Sequence, residues 1–237
     1  MPDTKGWERD DSAPPDPFYV PSGGVYIPRF QNLDTVTNPQ FKRGFAFQGT
    51  VGRGYVPEDR PAMFGMTGFG ETLPYHDNSI TLNPRRKDAW GIPVPHLKCS
   101  LTDNEHALLR EQMRSIKEMV NHCGYKIDFE GSTFGLENGK QAFPEAGWLS
   151  RLIFRMSFKK SMAIGAAIHE CGGARMGDDP SKSVLNSYNQ CWDVKNLFVT
   201  DGSSFPSSGT VGPALTIMAL TVRACDYIAK EYKANAL

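Results

Sequence analysis

The stretch that decides the reading of this chain covers residues 169–228, HECGGARMGDDPSKSVLNSYNQCWDVKNLFVTDGSSFPSSGTVGPALTIMALTVRACDYI. A lone histidine, His169, precedes a turn containing Gly172, Gly173 and Gly177. Missing side chains there let the backbone turn tightly and come close to a ligand. Residues 196–200 (NLFVT) read as a short apolar strand of the kind buried in a parallel sheet. The strand ends in Asp201, Gly202 and Ser203. Pro213 sits where a helix begins, with Gly212 before it and helix-forming residues through Lys230. Strand, polar loop and helix in that order form the last strand-helix unit of an α/β layer, and ligands bind at the carboxyl edge of such strands.

Upstream the texture differs. Residues 18–60 alternate aromatics with glycines and basic residues, the pattern of short strands joined by turns. Residues 61–75 read as a glycine-rich loop. Gly65, Gly68 and Gly70 give a GxxGxG order, which reverses the dinucleotide-binding spacing, and no helical pattern follows. The reading is a loop packed close to backbone or ligand, not a phosphate site. Residues 79–82 and 91–99 read as strands. Thr102 with Glu105 forms a capping box that opens a long helix carrying Leu108, Leu109, Ile116, Met119 and Val120, stopped near Gly124. Residues 125–129 alternate like a further strand. The expected class is α+β: a mixed or antiparallel sheet with helices, closed by the terminal strand-helix unit.

A length of 237 residues allows one large domain or two small ones with a buried core. Lys+Arg and Asp+Glu balance at 26 each, which excludes bulk attraction to nucleic acid or an anionic membrane. The 5 cysteines are an odd count with no CxxC pair, so neither a disulfide framework nor a zinc ribbon is expected. His169 and Cys171, even with His122 or Cys123, fall short of a zinc pattern, and no metal site is expected. Ser207, Ser208 and Gly209 lack the GxSxG frame of a serine hydrolase. No run of about 18 apolar residues suggests a membrane span. The acidic, proline-rich start has no apolar signal core, and a cytoplasmic location is expected.

Three motifs together resemble the C-terminal region of the glucose-methanol-choline (GMC) oxidoreductases. They are H-x-x-G-[GT]-x-R-M-G at residues 169–177, NLFV-x-DGS at 196–203, and F-P-[ST]-S-G-x-x-N-P-x-L-T-I at 205–217. Upstream GVYIPRF, LPYHDNSITLNP and DAWGIPV are similar to the family's substrate-domain half, especially its sugar- and polyol-dehydrogenase-like branch. The resemblance implies three segments: a lead-in with loops at 1–75, a substrate-binding domain at 76–165, and a segment closing the FAD domain at 166–237. It also implies FAD-dependent oxidation of a CH–OH donor, an alcohol, sugar or polyol, with hydride passing to flavin N5. Oxidising an alcohol this way needs a base for the hydroxyl proton, and a histidine, with a free pKa of about 6.5, suits neutral pH. His169 matches the family's active-site histidine. Asp201 and Gly202 match its cofactor-contacting pair. Gly212, Pro213 and the amides of Ala214 and Leu215 fall where a helix start would meet the flavin's pyrimidine edge and stabilise negative charge there.

Two departures qualify what the resemblance implies. The family's second catalytic residue, a His or Asn before the proline, aligns with Gly212. Either His169 works alone, or Thr210, Ser208 or water fills in. The family also holds FAD through an N-terminal unit with GxGxxG, and nothing before His169 supplies one. The chain is therefore expected to be one part of a flavoenzyme: a truncated reading frame, a split gene product whose Rossmann half is on a separate partner chain, or an excerpt. The alternative is a catalytically incompetent fragment or subunit that binds such a partner. Arg175 reads as a structural ion-pair residue rather than a substrate clamp.

Overall fold

The computed structural model describes residues 22–52, 64–127, 130–133, 135–136, 147–162, 164–165 and 168–235. They are helices and antiparallel strands in two compact units, a mixed α+β arrangement. One unit is drawn from Met1–Gly70 and His106–Lys159, the other from Glu71–Glu105 and Lys160–Leu237.

In the first unit β1 (Ser22–Ile27), β2 (Phe45–Gly52) and β3 (Phe64–Gly70) form an antiparallel sheet in that order. The central strand carries the core. Phe45, Ala46 and Phe47 have no exposed surface. Phe45 meets Phe30 edge-on at 5.4 Å, Phe47 at 5.4 Å and Phe41 at 6.0 Å between ring centroids. Helix α1 (Asp103–His122) contributes Leu108 to this cluster, with Ala107, Ile116 and Met119 packed around it. Their spacing places them on one face of the helix.

The residues expected to form a loop at 61–75 include β3, and this corrects the sequence reading. Register explains the glycines. Gly68 lies opposite Phe47 and Gly70 opposite Phe45. A Cβ on Gly70 would collide with the Leu108 side chain and sit 2.7 Å from Gln112 Nε2, while one on Gly68 would sit 2.9 Å from Gln112 Oε1. The glycines admit α1 side chains onto the strand, so the close approach is to protein rather than to a ligand.

The start of α1 follows its sequence signal. Glu105 Oε2 accepts from the Thr102 amide at 2.9 Å and from its hydroxyl at 2.7 Å, and the Asn104 amide reaches Thr102 Oγ1 at 3.4 Å. Glu105 Oε1 also accepts from the Leu73 amide and the Tyr75 hydroxyl, each at 3.2 Å. Burial pushes this carboxyl's pKa up, but hydrogen bonds from Thr102, Leu73 and Asn104 together outweigh it and hold it below the ordinary value of 4.5. Because the folded pKa is depressed, this stabilisation is complete above the ordinary glutamate value and fades as pH falls through the lower folded one. Glu105→Ala, which strands buried donors, is expected to cost about 1–3 kcal/mol at neutral pH. Urea midpoints should show the gap between variant and parent narrowing on acidification; a constant gap would show that the ionised form contributes nothing.

Past α1, residues 125–127 form no strand, contrary to expectation, and 128–129 lie outside the described residues. The Tyr125 amide instead bonds the Val120 carbonyl at 3.1 Å, and Gly124 takes φ +70, so this segment closes the helix. A short pair, β6 (Gly131–Ser132) and β7 (Gly135–Leu136), follows. Helix α2 (Trp148–Ser161) had no counterpart in the sequence reading. Its first turn carries no acidic residue, so the usual start signal is missing.

In the second unit β4 (Ser79–Lys87) and β5 (Pro93–Lys98) pair antiparallel; two strands were expected here, but β4 continues past Leu82 through a register shift to Lys87, into residues expected to form the turn. Asp88 Oδ1 accepts from the Trp90 and Ile92 amides, each at 2.9 Å, and Gly91 takes φ +85 to complete the turn. Helix α3 (Ala214–Lys233) begins directly after Pro213, as the proline predicts. Residues 196–200 are not a strand of a parallel sheet, which corrects that element. Phe198 makes a single antiparallel bridge to Gln190, and the Val199 amide bonds the Asn189 carbonyl at 3.0 Å. A strand needs a ladder, and among the described residues only a short loop lies alongside to form one.

Candidate active site

The loop after α2 is bonded to the segment before α3. The Ala174 amide donates to the Ser203 carbonyl and the Met176 amide to the Ser204 carbonyl, each at 2.9 Å. Ser203 and fully buried Ser204 lie in a single 3-10 turn, Gly202–Ser204, capped by Asp201. Arg175 donates Nε to the Lys182 carbonyl at 2.8 Å, so among the described residues it ties a loop through backbone rather than forming an ion pair. The Thr221 hydroxyl on α3 reaches the Thr200 carbonyl at 3.2 Å. These bonds bring residues 169–176, 201–205 and the start of α3 into one cluster.

His169 sits at a small pocket that it lines with Glu170 and Cys171. Its backbone φ is +81, in the left-handed region, and Gly172 follows at +88. Only glycine enters that region freely; another residue there costs roughly 1–2 kcal/mol. Residues held this way concentrate at functional sites. At Gly173 a Cβ would lie 3.2 Å from Ile80 Cδ1 on β4, a tight contact to which the end of that side chain would have to yield. Gly177 likewise has Ser183 against it, 2.9 Å from the Cβ position.

Gly212 and His169 are neighbours. A Cβ placed on Gly212 would lie 3.9 Å from His169 Cε1 and meet no other atom within contact range. The site that aligns with a second polar side chain thus faces the histidine, but as open space. Phe205, Val211 and Pro213 supply apolar walls to the same pocket, and Ser208 a hydroxyl. Cys171 is half-buried. Burial pushes its thiol pKa up, the adjacent Ser208 side chain opposes this, and the carboxylates of Glu71 and Glu170 add to the rise. Glu71, only 5% exposed, was not singled out by the sequence reading. It stands far from the motif in sequence, and only folding brings it near Cys171.

Among the described residues, no group of three or more His, Cys, Asp or Glu side chains is placed to hold a metal ion. No helix there is long and apolar enough to cross a membrane.

A model of the GMC oxidoreductase family matches residues 74–221. The chain belongs to the GMC oxidoreductase family. It is 36% identical over 164 residues to the 2-methyl-1,2-propanediol dehydrogenase of Mycolicibacterium austroafricanum, a match covering 69% of this chain and 25% of that protein. Against the gluconate 2-dehydrogenase flavoprotein of Pantoea cypripedii it is 25% identical over 170 residues, covering 72% of this chain and 24% of the relative. A shorter match, 38% identical over 64 residues, is to the cholesterol oxidase of Acinetobacter baumannii, covering 27% of this chain and 12% of that enzyme. The matched part of the chain thus spans about a quarter of the length of the first two GMC relatives.

Membership in the GMC family implies FAD, and one feature of this chain fits it. Helix α3 opens on Pro213 with no side-chain cap, so the amides of Ala214 and Leu215 keep donors that the helix itself does not use. Partial positive charge gathers there and suits an anionic or electron-rich edge. Asp201 is already partly engaged: its Oδ1 takes the Ser203 amide at 2.9 Å and the Ser203 hydroxyl, which hold its carboxyl below the ordinary aspartate range. Its Oδ2 lies outside these bonds. Gly202 is required by the protein itself, since a Cβ would come within 3.0 Å of the Glu170 carbonyl.

Proposed function

We propose that this chain is the C-terminal part of an FAD-dependent oxidoreductase acting on CH–OH groups, with His169 as the general base. The observation that carries this is the placement of His169. It is a left-handed residue at a pocket that Pro213, the residue before the uncapped start of α3, also lines. Strain of this kind persists only where the surrounding fold enforces it. When bound, the flavin supplies the acceptor for the hydrogen and electron pair that leave the carbinol carbon.

The chain's own residues do the rest. A neutral imidazole nitrogen of His169 accepts the hydroxyl proton as the C–H bond breaks. Phe205, Val211 and Pro213 keep water from the carbinol, and the Ala214 and Leu215 amides meet the flavin edge where negative charge develops. Gly212 and Pro213 would let that edge approach closely, and Asp201 and Gly202 would hold the ribityl-pyrophosphate part of the flavin. The remaining grip on FAD belongs to the dinucleotide-binding half of the family. The substrate is an alcohol, sugar or polyol, which agrees with the names of the relatives.

The rival reading, a subunit that does no chemistry, draws on the missing side chain at Gly212. Flavin fluorescence separates the two. FAD titrated into the full chain mixed with a candidate dinucleotide-binding chain should be quenched, and anaerobic alcohol should then bleach its visible band. Quenching without bleaching by any alcohol would favour the rival; no quenching in a clean mixed complex would sink the flavin assignment.

A further inference from the structure

Helix α2 turns its apolar residues outward and concentrates positive charge. Its 14 residues, WLSRLIFRMSFKKS, include Arg151, Arg155, Lys159 and Lys160 and no aspartate or glutamate. The chain as a whole balances its charges at 26 of each sign, so this excess is local. Among the described residues no carboxylate pairs with Arg151, Arg155 or Lys160. Trp148, Leu149, Leu152, Ile153 and Met156 recur at steps of one, three and four residues, which sets them on one face of the helix. That face meets solvent: Trp148 is 72% exposed, Met156 66% and Ile153 56%. The opposite face carries Phe154 and Phe158, half-buried with ring centroids 5.8 Å apart. None of these residues lines the His169 pocket.

We propose that α2 docks flat on an anionic lipid surface, its apolar stripe entering the headgroup boundary and its cations meeting the lipid charges. An exposed apolar helix face with a tryptophan and an excess of Lys and Arg is the composition of a helix lying in a membrane interface. At about 1.5 Å per residue its 14 residues run roughly 21 Å, short of the roughly 30 Å of hydrocarbon, so it lies on the bilayer rather than crossing it. Arg155 stands beside the apolar stripe and Lys160 at its C-terminal end, where their stems cover apolar surface while their charges reach the headgroups. A protein partner would need several carboxylates placed to match these cations, and the cores of protein interfaces are depleted in lysine. An anionic leaflet supplies negative charge across its whole surface without such matching.

The full chain is mixed with vesicles of phosphatidylcholine alone, or of phosphatidylcholine and phosphatidylserine in equal parts, and the bound fraction is read by sedimentation. Partition is expected to be at least about 10-fold stronger with phosphatidylserine and to weaken as salt screens the charges. Ile153→Asp should lower it about 10-fold or more, and Arg155→Gln and Lys160→Gln about 5-fold each. Val222→Asp, at a comparably exposed apolar position on α3, should leave it unchanged. Brominated lipid should quench tryptophan fluorescence in the parent and lose most of that effect in Trp148→Phe, which still binds. Far-UV circular dichroism reports that each variant is folded. No partition to the phosphatidylserine vesicles, equal partition to both kinds, or quenching unchanged in Trp148→Phe would overturn the proposal. A loss in Val222→Asp as large as in Ile153→Asp would do the same. So would an oligomer that Ile153→Asp turns into monomer in the absence of any lipid binding, because a second copy of the chain would then cover this face.

Discussion

His169→Ala is expected to lower alcohol oxidation by about 10²–10⁴-fold while leaving flavin binding intact, because it removes the proton acceptor and little else. Stopped-flow bleaching of bound flavin by alcohol reads the loss, and flavin fluorescence reads the retained binding. A second variant adds a signature that a structural role would not produce. His169 occupies φ +81, where a side chain costs roughly 1–2 kcal/mol. His169→Gly removes that penalty and adds the extra entropy of a glycine in the unfolded chain, about 0.5–1 kcal/mol. The net expectation is a small gain in stability, up to about 1.5 kcal/mol, alongside the same loss of activity. Alanine keeps the strain and gains nothing. If His169→Gly were less stable than His169→Ala, the left-handed backbone would carry no strain, and the argument from strain would fail.

Phe45→Ala is the largest stability change expected in the first unit. Phe45 is fully buried on the central strand and touches Phe30, Phe41 and Phe47. Truncation removes its transfer energy and leaves a cavity that neighbouring rings refill only partly, at about 3–5 kcal/mol. Some of that is the edge-to-face geometry with Phe30 and Phe47, which is lost with the ring. Phe30→Ala makes the control. That ring is 43% exposed, and its loss should cost well under half as much. Urea unfolding of both variants decides the point: equal costs would show that the aromatic cluster is not where the unit's stability resides.

These expectations draw on different depths of legibility. The starts of α1 and α3 were readable because their signals are local. Thr102 and Glu105 stand three residues apart and meet across one helical turn, and Pro213 has a φ already suited to helix. The β4–β5 pair was readable for a similar reason, since its turn is closed by Asp88 and Gly91 between the strands. The glycines of β3 were misread because their purpose lies in α1, more than thirty residues on. Nothing near Gly68 and Gly70 in sequence reveals that Leu108 and Gln112 need their space. Residues 196–200 failed for the complementary reason: an apolar run predicts burial, but strand geometry needs a partner, and only one bridge forms.

By itself the sequence determined the family, the histidine and the helix that faces it, because a glycine, a proline or a histidine at fixed spacing imposes its backbone preference and chemistry locally. Only the tertiary structure decided that His169 is held in a left-handed conformation, that Gly212 leaves open space beside its ring, and that Cys171, Ser208 and Glu71 belong to the same site. Those are relations between segments brought together by backbone hydrogen bonds such as Ala174 to Ser203 and Met176 to Ser204. Such bonds use main-chain atoms that every residue carries, so no pattern of side chains announces them.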